Sequence, residues 1–252
     1  MIVVISPSKL MNFEKKPLVE IKTSQACFVE KTRVLKERLV QISFVELMEK
    51  EKISFKIAQE TIQAFQSFAL PEPHKVRPAA MAYSGIVFNK IDAQNFSQQQ
   101  WMFATKTLRI FSALYGLLSP SDEIQAYRLD MSSKIVPKLY DYWKEDINKK
   151  LCSLLTSEQY TLVNLASKEF FKLVNPSLLP QNTQVITPIF QQEIRGKMIT
   201  NSLYAKQARG LMTRFIIENE ITDPEYLKAF DMDGYFFNVH LTNKNNWFFT
   251  RN

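Results

Sequence analysis

Glycine is scarce in this chain, with five residues in 252, several-fold below the roughly 7% of average proteins. So little glycine leaves few places for freely left-handed backbone. Each glycine then marks a spot where a side chain does not fit: a positive φ, a close helix contact, or backbone approaching a ligand. Four of the five sit in short patterned segments. These are Tyr83-Ser84-Gly85, Leu114-Tyr115-Gly116-Leu117-Leu118, Ala208-Arg209-Gly210-Leu211-Met212 and Asp233-Gly234-Tyr235.

The length suits one large domain, and residues 1–252 are read as a single unit. A chain this long buries a full core without staples. No apolar run approaches the roughly 20 residues of a membrane span, so no membrane partner is expected. Met1-Ile2-Val3-Val4-Ile5-Ser6 lacks the basic start of a signal peptide and reads as a buried first strand. Cys27 and Cys152 cannot build a disulfide framework and suggest a reducing compartment, with the cytoplasm as the default.

The net charge of +7 favours a polyanionic partner. Its distribution says more. From Tyr160 to Ile217 there are seven Lys/Arg against Glu169 and Glu193, whereas Glu218 to Gly234 holds six acids against Lys228. A basic stretch with a sharp boundary points to a patch.

The spacing of apolar residues predicts helices over 25–41, 54–68, 139–155 and 204–220. Ser43 and Ser97 each open a helix, as in a capping box, and Ser167 caps a short one. Pro71 and Pro73 end the second long helix. Strands are expected at 2–6, 79–83, 108–114, 160–165, 185–190 and 197–203, with a terminal hairpin of 234–241 and 247–251. Strands and helices alternate without a clean βαβ period. The expected class is α+β, a mixed sheet wrapped by helices.

Three constellations can carry chemistry. On the helix 204–220, Ala208, Leu211, Met212 and Phe215 share one side, while Lys206, Arg209, Gly210 and Thr213 share the other, with Arg214 at its edge. A helix glycine costs about 1 kcal/mol relative to alanine. Gly210 therefore serves either tight helix packing or the approach of phosphate or backbone. The turn around Tyr115 and Gly116 has the hydrophobic-Gly-hydrophobic form with which a helix-hairpin-helix offers N–H groups to DNA phosphate. Arg109, Arg128 and Lys134 add charge nearby, and Ser119 and Ser121 add hydroxyls. Ser6-Pro7-Ser8-Lys9 and Ser167-Lys168-Glu169 both place hydroxyls and a cation just after a strand, where ligands commonly bind.

Other enzyme signatures are thin. There is no P-loop, H-E-x-x-H, C-x-x-C or G-x-S-x-G. His74 in a loop and His240 in a predicted strand, with two distant cysteines, do not form a soft-ligand cluster. No metal and no cofactor are expected.

Together the segments resemble the YaaA family of bacterial peroxide-stress proteins, nearly end to end. Beyond those quoted, the resemblance rests on Tyr127-Arg128-Leu129-Asp130-Met131, Leu139-Tyr140-Asp141-Tyr142-Trp143, Asn164-Leu165-Ala166-Ser167-Lys168 and Gly234-Tyr235-Phe236-Phe237. Ser119 replaces the family's usual arginine, Ala126 its proline, Leu10 and Asn12 its Thr and Asp, and Phe170 its tyrosine. The resemblance implies a compact mixed α/β domain with a basic cleft and a helix-hairpin-helix-like element. It also implies binding of double-stranded DNA, with structure selectivity as an option, and a role against peroxide damage linked to limiting free iron. The phosphate-binding set would be Ser6, Lys9, Arg109, Tyr115, Gly116, Arg128, Ser167, Lys168, Lys172, Lys206, Arg209, Gly210 and Arg214. The competing expectation is an enzyme acting on a nucleotide or other small phosphorylated ligand in the same cleft. A long open groove would favour duplex DNA, and a deep tyrosine-lined pocket a small ligand.

Overall fold

A computed structural model describes residues 1–69, 75–155 and 160–252. Pro71, Pro73 and His74 lie outside the described residues. In chain order the strands are β1 (Ile2–Ile5), β2 (Leu10–Met11), β3 (Arg77–Pro78), β4 (Tyr83–Ser84), β5 (Leu108–Ser112), β6 (Gly116–Leu118), β7 (Glu123–Ile124), β8 (Thr161–Leu165), β9 (Gln184–Ile194), β10 (Lys197–Ile199), β11 (Phe236–Phe237) and β12 (Asn246–Arg251). The helices are α1 (Val29–Val40), α2 (Phe44–Glu51), α3 (Phe55–Gln66), α4 (Ala79–Ala82), α5 (Ile86–Ile91), α6 (Gln98–Thr107), α7 (Leu139–Leu154), α8 (Lys168–Phe171) and α9 (Ser202–Glu218).

The main sheet runs β11-β12-β9-β8-β1-β5-β6, with β10 folded back on β9. Its centre is parallel, from β12 through β9, β8 and β1 to β5. The short partners β6, β10 and β11 are antiparallel. The class is mixed α/β, as the interspersed pattern indicates. Ile2-Val3-Val4-Ile5 is buried at every position because β1 has a parallel neighbour on each edge. Such strands lack alternation because both faces are covered.

Local chemistry explains most boundaries. Ser97 forms a full capping box with Gln100, and Ser43 accepts from the Glu46 N–H. The terminal pairing of β11 with β12 matches the expected hairpin, although His240 falls in the turn between them. Some segments differ from expectation. The strand expected at 197–203 ends at Ile199, and Ser202-Leu203 already belong to α9, capped by Asn201. Ala79-Ala80-Met81-Ala82 is the one-turn helix α4, not a strand, and only Tyr83-Ser84 is extended. A short apolar run fits either state, and these four are strong or neutral helix formers buried on all sides. The segment Leu114-Tyr115-Gly116-Leu117-Leu118 is a strand-turn-strand corner from β5 into β6, rather than a turn between helices.

Candidate functional site

β1 and β8 are adjacent and parallel, with Ile5 opposite Leu165. Their continuations, Ser6-Pro7-Ser8-Lys9 and Ala166-Ser167-Lys168, therefore leave the same carboxyl edge of the sheet. Ligands of open α/β sheets bind outside this edge. A cavity of about 630 Å³ opens there. Among its lining residues are Ser6, Lys9, Tyr127, Arg128, Ser167, Lys168, Lys206 and Arg209. The pattern of hydroxyl plus cation after a strand thus occurs twice at one site.

The two loops are stitched together. The Ser6 hydroxyl accepts from the Ser167 N–H at 2.8 Å and donates to the Ser167 hydroxyl at 3.2 Å. Ser167 Oγ also receives the Phe170 N–H at 3.5 Å, capping α8. With those acceptor positions filled, the Ser167 hydroxyl hydrogen is the donor left for a ligand. The Ser8 hydroxyl is already engaged: it donates to the Ser84 carbonyl and accepts the Leu10 N–H. Gly85 permits this approach. Its φ is +125°, and a Cβ there would lie 2.7 Å from Ser8 Oγ.

The cavity's electrostatics are unbalanced. Five cations line it, against Asp130 and Glu169. Asp130 pairs with Lys9 at 2.6 Å, in a solvent-accessible ion pair. Among the described residues, Arg128, Lys168, Lys206 and the Arg209 guanidinium have no acid partner within salt-bridge distance. Arg209 is half-buried, and desolvation alone lowers its pKa from the ordinary arginine value. A buried cation without a counter-charge is costly, and an incoming anion removes that cost. Arginine suits phosphate because its planar fork donates bidentately. Tyr127 lies at the wall, with its hydroxyl 2.6 Å from the Tyr83 hydroxyl and 2.7 Å from that of Ser112. Burial pushes Tyr127 up to about 12, so it acts as a neutral hydrogen-bonding group.

Several residues expected at a phosphate surface lie elsewhere. Arg109 is buried and donates to the Thr105 and Leu108 carbonyls at 2.8 and 2.6 Å, which fixes the α6–β5 junction. Gly116 sits beneath Trp143 and Phe28, where a Cβ would approach within 2.8 Å of both. Tyr115 is buried, and its hydroxyl accepts the Gln125 N–H at 3.0 Å. Ser119 and Ser121 join Ser24 and Asp122 in a hydrogen-bond cluster outside the cavity lining. Lys172 follows α8 on the exposed surface. Arg214 is matched by Glu218 at 2.7 Å and Asp92 at 3.6 Å.

Gly210 serves a different purpose from phosphate approach. It is buried against α5, where a Cβ would collide with the Val87 carbonyl oxygen and lie 2.7 Å from Lys90 Cβ. Thr213, one turn on, is also buried. The face read as basic is therefore split: Gly210 and Thr213 pack inward, while Lys206 and Arg209 reach the cavity. Because Val87 itself lines the cavity, the α5–α9 contact sets the distance between opposite walls. Asp130 and Gly85 also line the cavity, although neither belongs to the expected phosphate-binding set; the sequence signal for them is the Tyr83-Ser84-Gly85 and Tyr127-Arg128-Leu129-Asp130-Met131 motifs.

The family model described as "Peroxide stress protein YaaA" matches residues 1–241. Curated relatives align over the whole chain. A "UPF0246 protein" of Colwellia psychrerythraea is 38% identical, covering 100% of this chain and 99% of its own length. Those of Saccharophagus degradans and Teredinibacter turnerae are 38% and 36% identical with the same coverage.

Proposed function

The chain belongs to the peroxide stress protein YaaA family, and we propose that its sheet-end cavity grips DNA phosphate as part of protection against peroxide damage. One observation carries the reading: a half-buried Arg209 with no counter-charge among the described residues, sharing a cavity with Arg128, Lys168, Lys206 and Lys9. Exposed lysines scattered over a surface need no partner, but a desolvated guanidinium gains from an anion. The lysines extend the positive field outward, as a backbone-tracking surface requires. A link to low free iron enters only as what the family resemblance implies.

The enclosed volume favours a second reading. About 630 Å³ falls within the range of small-molecule sites, roughly 300–1,000 Å³. With the Ser167 hydroxyl as a free donor beside the cations, it suits one phosphorylated small molecule such as a nucleotide. Titration separates the two. If DNA is the ligand, log affinity for a duplex falls linearly with log salt, by about 0.9 per phosphate contact. A mononucleotide then competes only weakly. Tight mononucleotide binding beside weak, unsaturable duplex binding would move the enzyme or small-ligand reading ahead.

A further inference from the structure

A second cavity, of about 730 Å³, lies beside α1. Tyr115 lines it, and the Tyr115 ring packs edge-on against Tyr127 of the sheet-end cavity, with centroids 5.7 Å apart. Its walls are mainly apolar and include Ala26, Val29, Val40, Phe68, Val76 and Tyr115. One cation reaches among them. Lys36 stands 4.8 Å from the Phe68 ring centroid and 5.3 Å from that of Tyr115.

The polar surroundings of Lys36 are sparse. Its ammonium donates to the Gln125 side-chain oxygen. The Gln125 backbone is in turn held by the Tyr115 hydroxyl. An ammonium has three donors, and the other two have no acceptor among the described residues. The charged groups facing the cavity are Arg33 and Glu37 on α1 and Glu123 on β7. Arg33 is paired with Glu37 at 2.6 Å and with Glu30 at 3.0 Å, and Glu123 is exposed and makes no ion pair with Lys36 among the described residues. Burial alone pulls the Lys36 ammonium down to about 8.

We propose that this cavity binds a small aromatic monoanion, a carboxylate or sulfonate, with its charge on Lys36 and its ring system against the apolar walls. A polyanion does not fit, because only one unmatched cation is present among the described residues and Glu37 and Glu123 stand nearby. A neutral apolar ligand would leave the two ammonium donors unanswered, which is costly in a desolvated site. An anionic ring satisfies both demands. This inference is independent of the DNA reading.

The test uses two fluorescent probes that share a ring system: anionic 8-anilinonaphthalene-1-sulfonate and neutral N-phenyl-1-naphthylamine. The full chain should bind one equivalent of the sulfonate. Lys36→Met should weaken the sulfonate tenfold or more while leaving the neutral probe nearly unchanged. In the unaltered protein, sulfonate affinity should fall between pH 7 and 9.5 as Lys36 loses its proton. That profile decides the matter even if the variant's cavity collapses and both probes are lost. Sulfonate affinity unchanged by Lys36→Met, or a flat pH profile, overturns the proposal. So does loss of the sulfonate on Arg128→Glu with retention in Lys36→Met, which would place the probe in the sheet-end cavity.

Discussion

The sheet-end cavity and the α1 cavity are similar in volume, at about 630 and 730 Å³, yet they present charge in opposite ways. The first gathers five cations from four separate segments around two acids. The second holds, among the described residues, a single unmatched ammonium between apolar walls. Both bury a cation at some cost, Arg209 in one and Lys36 in the other. The difference lies in what surrounds it. Neighbouring cations raise the field and select a multiply charged ligand, whereas apolar neighbours select one charge carried on a greasy body. Size alone would not have told the two apart.

The largest effect should come from reversing charge in the first cavity. Lys206→Glu with Arg209→Glu is expected to weaken duplex DNA binding on the order of a hundredfold at low salt and to flatten the salt slope. The loss should be equal across sequences, because phosphate contacts carry no sequence information directly. Arg209 is half-buried, so a circular dichroism melt must accompany the measurement, and Arg128→Glu gives the same test at a second position. Unchanged affinity and slope in a folded variant would remove this cavity as the DNA surface and erase the contrast.

Next comes Gly210→Ala, which tests the frame that shapes the first cavity. Alanine gains about 1 kcal/mol of helix propensity. The collision with the Val87 carbonyl opposes it, and overpacking of this kind costs typically 1–3 kcal/mol. A net fall in melting temperature of a few degrees is expected. A higher melting temperature would mean that α5 yields without strain. Duplex affinity should fall several-fold, because moving α5 moves the cavity wall.

A smaller effect isolates Lys36. Its folded pKa, about 8, lies below the ordinary lysine value of 10.5, so between these values the unfolded chain binds more protons. Stability therefore gains with rising pH through that window. Lys36→Met should lose this upward contribution, visible as a change in the difference between variant and wild-type urea midpoints from pH 8 to 10. A constant difference would show that the ammonium is as well solvated as an exposed lysine.

The smallest effect concerns Lys9. Its pair with Asp130 is solvent-accessible, and such pairs contribute little to stability, about 0–1 kcal/mol. Asp130→Asn should leave the melting temperature nearly unchanged. It should tighten duplex binding a few-fold and steepen the salt slope by up to about 0.9. Weaker binding would instead assign Asp130 a direct role with the ligand.

Much of the molecule was legible before any fold was known. The non-alternating β1, the capping serines 43, 97 and 167 and the long helices each follow from local chemistry. So does the doubled hydroxyl-and-cation pattern after β1 and β8, because parallel neighbours bring equivalent loops to one edge. Arg109 and Gly116 misled because a charge near a glycine turn looks alike whether it meets solvent or carbonyls. Lys36 gave no sign at all, since a lysine on an amphipathic helix is ordinarily solvated.

The sequence by itself determined the long helices and the central strands, though not the short helix α4, and that the basic stretch ends abruptly at Glu218. Those properties depend on neighbours within a few residues. Only the tertiary structure decided which cations keep a partner. Arg214 and Lys9 meet acids, Arg109 meets carbonyls, and the Arg209 side chain meets neither among the described residues. It also decided that Gly210 admits α5 rather than phosphate. Burial and charge pairing arise from residues far apart in the chain, and no local pattern records which of them will meet.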